Sequence, residues 1–138
     1  MRLVSRYGPP LAVMALIFAF SAQPDLSTGL GPWDFIARKL SHVTIYAILW
    51  LTLARATDWR RPVAATVLAL LYAASDELHQ SFVAGRHGTP VDVAIDAVGM
   101  GLAALAWMRA RQRRGGRPGP PWPRRWSGRR TLTASRAR

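Results

Sequence analysis

Four apolar runs, at about residues 10–22, 40–54, 63–75 and 91–108, constrain this chain more than any other feature. Between them lie "PDLSTGLGPWD", "RATDWRR" and "HQSFVAGRHGTP", which are rich in Pro, Gly, Asp and Arg and read as turns and loops. The runs are rich in Leu and Ala and end at breakers, so they are helices rather than strands. There is no internal repeat. With 138 residues, half of them hydrophobic, one compact unit is expected.

Length leaves two architectures open. A spanning helix wants roughly 20 apolar residues, whereas runs of about 10–14 more often mark the core helices of a soluble bundle. Charge placement separates the two. With four spans and the N-terminus inside, Arg2, Arg6, Arg55, Arg60, Arg61 and every basic residue from Arg109 onward fall on the cytoplasmic side, which makes sixteen of nineteen. Only Arg38, Lys39 and Arg86 face outward. A soluble bundle gives no reason for this alternation, while the positive-inside rule demands it. The expected fold is therefore all-α, an integral membrane four-helix bundle over residues 1–109, followed by a disordered Arg/Pro-rich tail over 110–138. Its expected location is the plasma membrane, multi-pass, with both termini cytoplasmic. The first run has a second reading. "MRLVSRYGPPLAVMALIFAFSAQ" has the basic start, apolar run and small residues of a signal peptide.

The net charge of +12 points to an anionic partner, but ten of the nineteen basic residues lie in 110–138, which contains no acid. Beside a membrane, such a tail attracts anionic lipid headgroups. Nucleic acid is the second candidate for the tail and is not expected for the protein as a whole. Without cysteine there is no disulfide framework and no thiolate metal site.

Only seven acids exist, and four of them lie in "SDELHQSFVAGRHGTPVDVAID", residues 75–96. Asp76 and Glu77 end the third run, where carboxylates oppose the helix macrodipole and a nearby cation is the simplest compensation. Lys39, His42, Arg86 and His87 are available on that side. Glu77 alone reads equally well as a solvated helix end. Asp76 shares a face with Gln80, Ala69, Tyr72 and Ala73, which turns it inward. "Thr89-Pro90-Val91-Asp92" reads as a capping box, so Asp92 is explained by the cap as well as by chemistry. Asp96 lies one turn deeper, on a stripe with Gly99 and Ala103 that lets another helix approach closely. Nothing local satisfies it, and an ionisable side chain inside a bundle is a candidate for function. His42 shares a face with Lys39, Tyr46 and Trp50. Arg86, in the turn "AGRHG", is either a solvated loop cation or a clamp for phosphate or carboxylate. "DELHQ" only superficially has metal-ligand spacing, so neither a metal site nor a cofactor is expected.

These pieces resemble a family. "FSAQP" after the first run, "KLSHVTIYAIL" at the second, and "SDELHQSFVAGR-x3-P-x-DV-x3-D-x2-G" across the third and fourth are similar to the VanZ-like membrane proteins, named for a protein linked to teicoplanin resistance. The resemblance covers about residues 15–105, in order. Its Lys and His match Lys39 and His42, its Asp-Glu pair Asp76 and Glu77, its Gln Gln80 and its Arg Arg86. Its following Asp and Gly match Asp92 and Gly99. Ala84 stands where the family typically has Pro, and Asp96 where Asn is common. The resemblance implies four spans, a place in the cell envelope and an association with glycopeptide susceptibility, without a defined reaction.

Two functions remain open at this level. One is a binding protein that holds an envelope component through Lys39, Gln80, Arg86, Asp92 and Asp96. The other is a membrane enzyme acting on an outer-leaflet lipid-linked phosphate or sugar, with His42 and Asp76 or Glu77 moving protons. The expected partners are membrane lipids and such a lipid-linked precursor.

Overall fold

The computed structural model describes residues 2–24, 31–86 and 88–115. These form four helices: α1 (Arg2–Ser21), α2 (Pro32–Ala56), α3 (Pro62–Gln80) and α4 (Pro90–Arg113). No strand occurs among the described residues. The helices run up and down in sequence. α2 packs on all three others, most extensively on α4, and α1 touches α2 and α3 but not α4. Tyr46, Leu49 and Trp50 of α2 are fully buried at the centre of the bundle.

Each helix is longer than its apolar run. α2 starts eight residues before position 40, at a Pro that suits the first helical turn. α3 continues through Asp76 to Gln80, and α4 extends to Arg113, four residues past the boundary expected at 109. The rest of the expected tail, residues 116–138, lies outside the described residues.

The largest extension is in α1, which begins near the N-terminus and carries Pro9 and Pro10 inside it. A proline has no N–H to return to the carbonyl four residues earlier, which leaves the Ser5 carbonyl without its helical donor. The guanidinium of Arg55, on α2, donates to that carbonyl at 3.1 Å. A tertiary contact thus carries the helix across a pair of residues that locally mark a boundary.

That contact belongs to one end of the bundle, where α1 begins, α2 ends, α3 begins and α4 ends. Arg6 bonds the Ala56 carbonyl and pairs with Asp58 at 2.9 Å. Asp58 and Trp59 make the tight turn into α3 with φ of 51° and 61°, a left-handed region that non-glycine residues enter at a cost. Burial of the Trp59 ring against Trp107, with centroids 5.8 Å apart, offsets it. The Trp59 N–H also donates to the Ala54 carbonyl at 2.8 Å, closing the end of α2. Trp50 joins the same aromatic cluster and donates its indole N–H to Thr66 at 2.8 Å. Arg55, Arg60, Arg61 and the arginines from Arg109 to Arg114 sit at this end by their places in the fold.

α2 and α4 approach until their backbones touch. A β-carbon on Gly99 would fall on the Val43 carbonyl oxygen and lie 2.9 Å from its carbon. The stripe Asp96, Gly99, Ala103 is buried as its spacing predicts.

The outer faces are apolar on every helix. α3 buries Asp76, Glu77 and Gln80 yet leaves Leu71 64% and Leu78 62% exposed. Leu3, Leu11 and Phe18 on α1, Phe35 and Leu40 on α2, and Val98 and Leu102 on α4 are also exposed. By length and composition, two helices among the described residues are apolar enough to cross a membrane, over Leu3–Ser21 and Pro90–Arg113, against the four spans that the sequence leads one to expect.

Candidate functional site

At the end opposite the Trp50–Trp59–Trp107 cluster, the bundle gathers most of its acids. The N-terminus of α4 shows how. Pro90 occupies the first turn, and the Thr89 hydroxyl accepts the Asp92 N–H at 3.3 Å, one half of the expected capping box. The other half is built differently. In a capping box the N3 carboxylate reaches back to the N-cap N–H. Here the Thr89 N–H donates instead to Glu77 of α3 at 3.1 Å, while Asp92 accepts the Thr89 hydroxyl at 2.8 Å and pairs with Lys39 of α2.

Glu77 therefore caps the next helix. At the C-terminal end of its own helix a carboxylate has no donor to accept, but the helix end that needs an acceptor belongs to α4. The solvated reading of Glu77 does not hold, since the residue is 5% exposed. Gly88 makes the approach possible. A β-carbon there would lie 2.8 Å from the Glu77 carbonyl carbon and nearer still to its oxygen.

One turn along, His42 Nδ1 meets Asp96 Oδ1 at 2.9 Å. Asp96 is wholly buried. Its partner across the α2–α4 contact is an imidazole. With Nδ1 engaged, the ring orientation of His42 is fixed and Nε2 remains for other work.

Asp76 belongs to a second network. Its Oδ2 accepts Gln80 Nε2 at 3.0 Å and faces the Tyr46 hydroxyl at 3.4 Å, a long contact. Gln80 also donates to the Ser21 hydroxyl at 3.1 Å, and its carbonyl accepts Arg86 Nη2 at 3.0 Å. The expected neutralisation of Asp76 by Arg86 is thus relayed through an amide, and Arg86 does not contact the carboxylate directly. Among the described residues, five buried polar atoms have no protein partner: Asp76 Oδ1, Glu77 Oε1, Asp96 Oδ2, Arg86 Nη1 and His79 Nε2.

All eight candidates, Lys39, His42, Asp76, Glu77, Gln80, Arg86, Asp92 and Asp96, thus converge on one end of the bundle. His79 does not join them, since it stacks on Phe18 of α1 with centroids 4.6 Å apart. His87 lies outside the described residues. Three participants escaped the sequence reading. Ser21, Tyr46 and Thr89 were visible only as a small residue, an aromatic neighbour and a cap. For Ser21 the one signal was its place in "FSAQP".

Beside the networks, between α1 and α2, opens a cleft of about 590 Å³. Leu16, Ile17, Phe20, Leu40 and Ile45 supply apolar wall, and His42, Tyr46, Asp76 and Arg86 supply polar lining, with Asp34 and Arg38 also on it. The chemistry available is an apolar groove ending in a half-buried guanidinium, carboxylates and an oriented imidazole.

No curated protein and no solved structure matches the chain. The family model that does match, VanZ/LLP1, runs over residues 10–111, and so takes in α1 from its second proline, both networks and nearly all of α4. The chain that builds this polar end from an Asp-Glu pair, a Gln-Arg relay and a Lys–Asp bridge belongs to the VanZ/LLP1 family.

Proposed function

We propose that this is an integral membrane protein of the cell envelope, with four spans and both termini cytoplasmic. In this reading the cleft opens in the outer half of the bilayer and binds a lipid-linked envelope component with an anionic head. Through that binding it affects susceptibility to teicoplanin-type glycopeptides, as the family resemblance implies. Membrane insertion is supported by the inverted pattern of α3, acids in and leucines out, repeated as apolar outer faces on all four helices. Water-soluble monomers rarely expose contiguous apolar surface on such a scale. At about 1.5 Å per residue, even α3 is long enough for a hydrocarbon core of roughly 30 Å with modest local thinning. Orientation follows from the basic residues at the tryptophan end.

The observation that carries the binding reading is Arg86. Its Nη2 is held by Gln80, while Nη1 is buried, unpartnered and beside the apolar cleft. A guanidinium fixed by one bond and free at its second nitrogen suits a phosphate oxygen. The cleft walls suit the lipid chain attached to it. The test is binding of a polyprenyl-diphosphate-linked precursor to the full chain in nanodiscs, with free inorganic phosphate as comparison. Saturable binding of the lipid-linked form, weakened roughly 10–100-fold by Arg86→Ala, is expected from the loss of a charge-assisted hydrogen bond. Equal binding by the variant would refute the reading.

The His42–Asp96 pair favours a second reading, an enzyme acting on the same class of lipid. A buried carboxylate on one imidazole nitrogen leaves the other placed for proton transfer, and His42 lines the cleft. Release of phosphate or diphosphate from the precursor, abolished by His42→Gln and by Asp76→Asn, would establish it. Binding without turnover would leave the protein a receptor.

A further inference from the structure

We infer that His42, Glu77 and Asp96 hold a divalent metal ion at the junction of α2, α3 and α4. No spacing motif points to it, because the three residues lie on three different helices. Each offers one ligand atom, and these atoms lie within 4.8 Å of one another. Ligands bound at about 2.0–2.2 Å sit on the order of 3–4 Å apart, so side-chain adjustments of about an ångström close the site.

Two further observations point to a cation. Glu77 and Asp96 are 5% and 0% exposed, and each retains a buried carboxylate oxygen, Oε1 and Oδ2, without a protein partner among the described residues. Buried polar atoms are rarely left so. The local charge also fails to balance. Asp76, Glu77, Asp92 and Asp96 face two fixed cations, Lys39 and Arg86, and Lys39 is committed to Asp92. Asp34 and Arg38, both on the cleft, add opposite charges and leave the sum unchanged. With the His42 imidazole neutral, as a metal ligand must be, the sum is two negative charges, the charge of one divalent ion. One imidazole with two carboxylates suits Zn²⁺ or Mn²⁺ better than Ca²⁺ or Mg²⁺, which prefer all-oxygen surroundings.

This site does not rest on the lipid-binding reading, since Arg86 is not among its ligands and of the three only His42 also lines the cleft. The test uses the full chain in detergent, stripped with a chelator and titrated with ZnCl₂ or MnCl₂. Competition with a chromophoric chelator reads Zn²⁺, and the free-ion electron paramagnetic resonance signal reads Mn²⁺. One ion per chain is expected. Glu77→Gln, Asp96→Asn and His42→Gln should each weaken binding more than about 100-fold, because even groups that merely support ligands are worth roughly 10–100-fold. His79→Gln and Asp58→Asn should bind as the parent chain does. Should Asp96→Asn not fold, the stoichiometry of the parent chain and Glu77→Gln decide. No one-to-one binding, undiminished binding by Glu77→Gln, or loss with His79→Gln would overturn the proposal. Absence of binding would mean that protons on His42 and on a carboxylate, rather than an ion, balance the charge. Loss of lipid binding with ion binding intact would leave this site standing.

Discussion

Gly99→Ala should destabilise the protein, while Gly101→Ala, two residues along the same helix, should stabilise it. In a helix, alanine is better than glycine by roughly 0.5–1 kcal/mol. At Gly101 nothing lies within 4 Å of the added carbon, so this gain should appear undiminished. At Gly99 the added carbon meets backbone: it lands on the Val43 oxygen, 2.9 Å from the carbonyl carbon and 3.0 Å from Cα. No rotamer relieves a clash between a β-carbon and a main chain, so α2 and α4 must move apart. Overpacking of this kind costs about 1–3 kcal/mol. The move also stretches the contacts beside it, because Val43 adjoins His42 and Gly99 lies one turn from Asp96, and a lost hydrogen bond adds about 1 kcal/mol. The helix gain offsets only part of this. Gly99→Ala should cost about 1–3 kcal/mol net, and the two variants should differ by roughly 2–4 kcal/mol. Unfolding of the detergent-solubilised protein by SDS, followed by circular dichroism, measures both. Gly99→Ala as stable as the parent chain, or Gly101→Ala equally damaging, would refute the close helix contact.

Lys39→Ala should cost about 3–5 kcal/mol by leaving Asp92 charged and half-buried, and adding Asp92→Asn should recover much of it; denaturant midpoints of the single and double variants decide. Asp58→Ala should cost under about 1 kcal/mol in the same assay, because its pairing with Arg6 is exposed to solvent. Gln80→Ala and Arg86→Ala should combine non-additively, with a coupling of roughly 0.5–3 kcal/mol in a double-mutant cycle, because Gln80 links Arg86 to Asp76. For topology, the absence of native cysteine makes labelling clean. Ser81→Cys should react with an impermeant reagent in intact cells and Gln112→Cys should not; the opposite pattern would reverse the proposed orientation.

The sequence by itself determined the four helices, the cap at Thr89-Pro90, the close-packing stripe at Gly99 and the segregation of charge between the two ends. Each is a local or periodic property: a run of apolar residues, a cap at fixed offsets, a repeat that returns to one face every turn. It also marked the eight polar residues that converge, through their types and the family pattern. What it did not determine was how they pair. Lys39 with Asp92, His42 with Asp96, Glu77 on the N–H of Thr89, Gln80 between Asp76 and Arg86, and Arg55 on the Ser5 carbonyl were each decided by the packing. Most of these contacts join different helices, as when Lys39 reaches Asp92 across 53 positions of chain. Choosing among several carboxylates and cations at one bundle end depends on ångström-scale offsets between helix axes. Those offsets depend on which residue of α2 the glycine of α4 meets, Val43 at Gly99, a match between two helices that the period of either one alone does not encode.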